Sequence, residues 1–500
     1  MTRARDPLVP LVALAGFLAA CHGGSGSGSR YEPVCVPPDP AGTCTPPGSP
    51  TLVAGGTAGP SSPPASCVLL PAATSCGLPD GGVLHLGTRA VGETVTFEVA
   101  AGTGSVSIVS QGTNAAMPRT VNYLGSAIDN SVVPLTVTAG GQKIYDDNVL
   151  PPADPAADGG TDVYYAGASP WVGTMTIPNT SRMLDGGVPA GSWSAVVSDF
   201  AYECSGTPGC AVGDGGVFPA STYDVTVVTK SGPVPSTGTI DVAFYLVTSL
   251  PITSATAVTN ANLGRVVSTL ATLFANAGLC LGRVTFYDVP AWAKQRYATG
   301  VNADTADACG TLSQMLTLAM PANAVNFFLV DDIQSANTTG GTVVGVDGTI
   351  PGPASFGGTI ASGAAVSAAY LGQVRALGAC SGGINLNCGN DVIALIAAHE
   401  AGHFLGLYHT TEAPGAYFDP VADTPTCPCT LCKPASSTAT CQTAFGPPVS
   451  NPYFVDGQDC SASTTCAGAD NLMFWLLSGA SQGFVSPEQG AIVRANPLVR

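Results

Sequence analysis

Charge is what this chain has least of. Only 10% of its 500 residues are Asp, Glu, Lys or Arg, and just four are lysines. The net charge is −17 at pH 7, and such a surface repels a phosphate backbone, which speaks against nucleic acid as a partner. Histidine is scarce, with five residues, and so is methionine, with seven. The apolar stretch Leu8–Ala20 has thirteen residues, too few to span a bilayer as a permanent helix. Against these shortages stand 62 glycines and 41 prolines, the composition of a turn-rich, strand-rich, exported chain rather than a helical cytoplasmic one. A length of 500 implies two or three domains.

Three of the five histidines fall within eleven residues, His399 to His409, reading HEAGHFLGLYH. On a helix, residues four apart lie one above the other, so His399 and His403 share a face and can hold one metal ion. Glu400 beside them can reach a water on that ion. Gly406 can take a left-handed conformation, end the helix and bring His409 round as a third nitrogen ligand. Three protein ligands with a fourth position left to water is the pattern of a catalytic zinc, whereas structural zincs are closed by four. A buried helix that carried histidines by accident would have no reason to keep the full HExxHxxGxxH spacing.

The chain opens with Arg3 and Arg5, the apolar stretch, and then Leu18-Ala19-Ala20-Cys21. The tetrapeptide resembles a bacterial lipobox, which implies that residues 1–20 are a signal peptide and that Cys21 carries lipid. His22 after it, where an Asp would imply inner-membrane retention, implies the outer membrane or cell surface. An unmodified Cys21 would instead give a secreted protein. Seventeen cysteines leave sixteen once Cys21 is set aside, an even number that favours disulfides in an exported chain. Cys35/Cys44, Cys67/Cys76, Cys204/Cys210 and Cys380/Cys388 look like local staples. The cluster from Cys427 to Cys466 reads as a stapled loop in preference to a second metal site.

Residues 21–75, rich in Gly, Ser and Pro, read as a flexible tether, with a removable propeptide as the competing idea. From 76 to 232, alternating runs such as Val95–Val99 and Tyr223–Val228 are separated by Asp-Gly-Gly turns, which predicts an all-β sandwich. The segment Val188–Trp193 is similar to accessory sandwich domains of bacterial secreted peptidases. From 237 to 500 the style becomes α/β with a mixed sheet. Strands are expected at Ile240–Leu246, Arg283–Val289, Val325–Val330 and Thr342–Val346, the last at the sheet edge. A helix is expected around Leu263–Phe274, and the metal-bearing helix at Asp391–Leu405 with Asn390 as its cap.

This order, with the extended motif, resembles the metzincin clan of zinc metallopeptidases. The resemblance implies an apolar methionine turn under the metal, and Asp470–Trp475 supplies Met473 for it. Thr410 after the third histidine, Asp423-Thr424-Pro425 downstream and Val485-Ser486-Pro487-Glu488-Gln489 near the end resemble the pappalysin family within that clan. The chain departs from the family at Phe404, where a tryptophan is usual, and at Trp475, where a tyrosine is usual. Membership implies a zinc-dependent endopeptidase. Zinc sits on His399, His403 and His409, Glu400 acts as general base and acid, and an extended peptide or protein substrate lies along the edge strand. Leu476, Leu477 and Phe484 are expected to wall a specificity pocket. Calcium is a further cofactor implied by the family, with Asp419 and Asp423, and also Asp456 and Asp459, as oxygen donors. A surface adhesin or binding lipoprotein with a vestigial metal site is the alternative, against which the retained Glu400 argues.

Overall fold

The computed structural model describes residues 46–500 apart from 48, 69–73, 76–80, 114–118, 122–126, 130, 148–161, 165–168, 200–210, 213–220, 304–307, 321–322, 336–341, 375–379, 443–452 and 478–481. The signal segment, Cys21, and the pairs Cys35/Cys44 and Cys204/Cys210 lie outside these residues.

The first strand, β1 (Thr51–Thr57), corrects the expected tether. It pairs in parallel with a strand more than two hundred residues later, Thr51 opposite Arg283 and Thr57 opposite Asp288. Cys67, expected to pair with Cys76, instead bonds to Cys309 across 242 residues. The chain from 51 to 67 is thus stitched to the half that carries the three histidines before the β-rich region begins.

That region contains β2 (Gly81–Ala90), β3 (Thr94–Val99), β4 (Thr103–Gly112), β5 (Ser131–Ala139), β6 (Gln142–Asp146), β7 (Ser169–Pro170), β8 (Val172–Ile177), β9 (Gly191–Asp199) and β10 (Thr222–Ser231). They form two antiparallel sheets, ordered β7-β5-β9-β3 with β6 on β5, and β8-β4-β10-β2. Both contribute to one buried cluster that includes Phe97, Val106, Trp171, Trp193 and Val225. A short helix, α1 (Ser181–Gly186), interrupts the strands, N-capped by Thr180.

The histidine-bearing half is built on β11 (Gly238–Leu246), helix α2 (Ala261–Asn276), β12 (Leu279–Asp288), β13 (Val325–Val330), β14 (Gly345–Asp347) and β15 (Ala364–Ser367). The sheet order is β1-β12-β11-β13-β15-β14. Every pairing is parallel except β14 with β15 at the edge, so the sheet is mixed. The central strands of such a sheet are covered on both faces, and β11 and β13 are buried almost without a break. Alternate residues of β11 divide accordingly: Ile240, Val242, Phe244 and Leu246 enter one core, Ala243 and Tyr245 the other. The first core also holds the buried faces of α2 and of helix α3 (Gly389–Leu405), so α3 is fixed under the sheet.

Two expectations change in detail. The edge strand begins at Gly345, not Thr342. Helix α3 begins at Gly389 with Cys388 in the cap position, and Asn390 is not its cap. The Asn390 side chain instead accepts the Gly372 N–H at 2.8 Å and donates to Asn262, joining α3 to neighbouring loops. Nor is α3 amphipathic: nearly every residue along it is buried, as suits a helix enclosed on all sides. The last helix, α4 (Pro487–Ala495), starts with a capping box of Ser486 and Gln489.

Candidate metal centre

Helix α3 carries His399 and His403 one turn apart, and Gly406 ends it at φ +110°. The N–H of Leu407 then bonds back to the Gly402 carbonyl at 2.8 Å, closing the helix end and turning the chain under it. This delivers His409. Its Nε2 lies 3.2 Å from Nε2 of His399 and 3.1 Å from Nε2 of His403.

The opposite nitrogens explain the convergence. The Nδ1–H of His399 donates to the Leu472 carbonyl at 2.7 Å and that of His403 to the Leu407 carbonyl at 2.8 Å. His409 Nδ1 lies 3.0 Å from a carboxylate oxygen of Glu412, so it too carries the proton. All three Nε2 lone pairs are left facing one another, which is unfavourable unless a cation sits among them. Among the described residues this is the one group of three or more side chains able to hold a metal. The two helix-borne imidazoles are held in their neutral form. Burial, followed by the neighbouring His409, pushes His399 down to about 3 and holds His403 well below its usual value. For His409 burial acts the same way, but Glu412 and Asp347 outweigh it and raise the imidazole.

Glu400 is buried beside the histidines. Burial first, then the charge of Asp347, raise its carboxyl well above the usual range, while the Asp347 backbone N–H opposes this. The edge strand comes this close because Gly345 has no side chain: a Cβ there would stand 2.3 Å from Glu400 Oε1. Asp347, which the sequence did not single out, is pushed up to about 7 by burial, with His409 and the Thr349 N–H working against that. Its Oδ2 is buried without a hydrogen-bond partner. Asp347 lies within electrostatic reach of His409, so a buried carboxyl group beside three converging imidazoles suits a divalent metal.

Met473 is fully buried beneath α3, and its sulfur occupies the space a side chain on Gly402 would take. Its turn is fixed by polar side chains. Asn471 Oδ1 accepts the Met473 N–H at 2.8 Å, and Asn471 Nδ2 donates to Gln489 Oε1 at 2.9 Å. The Met473 carbonyl accepts the Thr410 N–H at 3.1 Å, tying the turn to the third-ligand loop. Trp475 turns away from the histidines and donates its indole N–H to the Val455 carbonyl at 2.9 Å. The expected pocket wall is not a unit: Leu476 packs with the cysteine cluster, Leu477 against the main core, and Phe484 is exposed.

The aspartates expected for calcium are occupied otherwise. Asp419 accepts from Thr424 Oγ1 at 2.5 Å and from Gln489 Nε2 at 3.3 Å. Asp423 accepts from Ser486 Oγ at 2.6 Å and the Glu488 N–H at 2.9 Å, at the start of α4. Asp459 pairs with Lys433 and accepts the Asp456 N–H. The four do not gather into a metal-holding group. The stapled-loop expectation is met: Cys427–Cys460, Cys429–Cys441 and Cys432–Cys466 are disulfides, as is Cys380–Cys388.

No family model matches the chain, and no curated protein does. Among solved structures, metalloproteinase-II from Bacteroides fragilis is similar over 39% of this chain and 57% of its own, at 12% identity and a TM-score of 0.20. A chaperone-substrate complex is similar over 42% of this chain and 33% of its own, also at 12% identity, with a TM-score of 0.19. The chain thus spans little more than half of the first and a third of the second. Likenesses of that size leave the assignment to the chemistry of the site. What the fold and site define is a multidomain α/β protein with a three-histidine group able to hold a metal ion. No helix among the described residues is long and apolar enough to cross a membrane.

Proposed function

We propose that this protein is a zinc-dependent metalloendopeptidase of the metzincin clan, nearest to the pappalysin family. The β-rich region is then a sandwich domain, and the chain is held at the outer membrane or cell surface by lipid on Cys21. The observation that carries the reading is the meeting of three Nε2 lone pairs beside a buried glutamate. Bound there, zinc would supply Lewis-acid polarisation of a peptide carbonyl and acidify a water.

The chain's own residues do the rest. Glu400, adjacent on the helix and with its carboxyl raised above the usual range by burial, would take the water's proton and return it to the leaving amine. Gly345, Val346 and Asp347 all lie in register with β15, but the Ser367 N–H donates to the Val344 carbonyl and the Gly348 N–H to the Gly363 carbonyl, so the inward hydrogen-bonding positions alternate and Gly345 turns its backbone groups to the outward edge of β14. An extended peptide pairs with that edge, main chain to main chain.

The test is cleavage of casein by the purified protein with and without a zinc chelator, alongside Glu400→Ala. We expect one equivalent of zinc, chelator-sensitive cleavage, and a Glu400→Ala variant that folds, keeps zinc and loses at least about two orders of magnitude in rate. Full activity in that variant would sink the mechanism.

A further inference from the structure

This inference rests on the metal-site reading and deepens it. By sequence the region from 76 to 232 is an accessory domain, yet in the structure it touches the chain on two sides of the three histidines. Ser169 Oγ donates to the Gly348 carbonyl at 3.2 Å, one residue past the edge strand. The Ser181 N–H donates to the Pro420 carbonyl at 3.3 Å, and Ser181 Oγ accepts the Ala422 N–H at 2.7 Å, below the third-ligand loop. The third contact is the most direct. The ring of Tyr164 stands edge-on to that of Tyr408, centroids 4.7 Å apart and planes at 89°, and Tyr408 immediately precedes His409. Burial, then Tyr408 and Glu412, raise the Tyr164 phenol above its ordinary range, which places it in the field of the group that orients His409.

The segment bearing Tyr164 is anchored from its own side. Asn179 Oδ1 accepts the Tyr164 N–H at 3.1 Å, and Asn179 Nδ2 donates to the Tyr164 carbonyl at 2.6 Å. Thr180 Oγ1 donates to the Asp162 carbonyl at 2.5 Å and accepts the Met183 N–H at 3.2 Å, so the cap of α1 and the turn before Tyr164 are one assembly. Val163 between them is fully buried. Such an anchorage holds a ring in one place.

His409 needs that. Its two partners are placed by a helix enclosed in the core, whereas it sits on irregular chain whose backbone must be fixed by whatever packs on it. We propose that Tyr164 is a positioning residue of the metal centre, acting through Tyr408 on His409, and that the β-rich region is by this contact a working part of the site.

The experiment measures zinc affinity of the full chain by competition with a chromophoric chelator, and the visible spectrum of the cobalt-substituted protein, for wild type, Tyr164→Ala and Tyr164→Phe. Tyr164→Ala is expected to bind zinc about tenfold more weakly or worse and to alter the cobalt spectrum, as loss of an outer support does. Tyr164→Phe, which keeps the ring edge, should restore both to within about threefold of wild type. Tyr164→Leu replaces the alanine variant if that does not fold. Glu98→Ala, an exposed change on β3 away from this assembly, should leave both readouts unmoved. Wild-type affinity and spectrum in Tyr164→Ala or Tyr164→Leu overturn the proposal while leaving the metal site intact. A wild-type chain that binds no zinc overturns the metal-site reading itself, and this is seen before any variant is compared.

Discussion

The chain above the three histidines and the chain below them are held by different physics. Above, β11–β15 and helices α2 and α3 fill two apolar cores, and the two ligands on α3 inherit their positions from that packing. Below, from Leu407 to Ser486, regular structure is sparse. Order there comes from three disulfides, Cys427–Cys460, Cys429–Cys441 and Cys432–Cys466, and from buried hydrogen bonds among Asn471, Gln489, Asp419 and Thr424. The difference teaches where each half is vulnerable. A core loses stability by volume, a cross-linked loop by reduction, and a loop-borne ligand by loss of its hydrogen-bond partner.

The largest effect should come from the upper half. Leu270 on α2 is fully buried in the core that also encloses α3. Leu270→Ala should cost about 2–5 kcal/mol in chemical denaturation, while zinc affinity of the folded fraction stays unchanged. A change in zinc affinity without loss of stability would break the contrast. Next comes the lower half. The double change Cys427→Ala with Cys460→Ala opens a loop of 33 residues and should cost about 2–4 kcal/mol. Here zinc should be lost earlier than far-UV helix signal as denaturant rises, because Met473 and His409 hang on this half. Simultaneous loss of both signals would show that the two halves are one cooperative unit.

The same contrast decides what could be read in advance. His399, Glu400, His403, Gly406 and His409 were legible because their geometry is local: helix period and one glycine suffice. Met473 was legible only through a family resemblance, since nothing in its neighbourhood marks it. The strand Thr51–Thr57 was not legible. It is an edge strand, mostly exposed, whose partner is Arg283–Asp288, and parallel pairing leaves no turn signature between partners. Cys67–Cys309 was hidden for the same reason of distance. Asn390 looked like a cap because it precedes an apolar run, but tertiary bonds to Gly372 and Asn262 claimed its side chain. Asp419 and Asp423 looked like cation ligands because spacing cannot tell which donors will face a carboxylate. Glu412 could have been found: it stands three residues past a ligand that needs an acceptor for its second nitrogen.

That residue gives the finest test of the comparison. His399 and His403 are oriented by carbonyls fixed in folded backbone, and no side-chain substitution removes those acceptors. His409 depends on a half-exposed carboxylate, 3.0 Å from its Nδ1. Glu412→Ala should therefore weaken zinc by about 10–100-fold, the cost usual for losing a group that orients a ligand. Stability of the metal-free protein should hardly move, because an exposed pair contributes little to folding. Glu412→Gln keeps an acceptor for the Nδ1–H but removes the charge, so its affinity should fall between the two. If Glu412→Gln matches Glu412→Ala, charge is what matters to His409. If Glu412→Ala binds zinc like wild type, His409 is placed by its backbone alone, and the contrast between helix-borne and loop-borne ligands fails at the residue where it should be plainest.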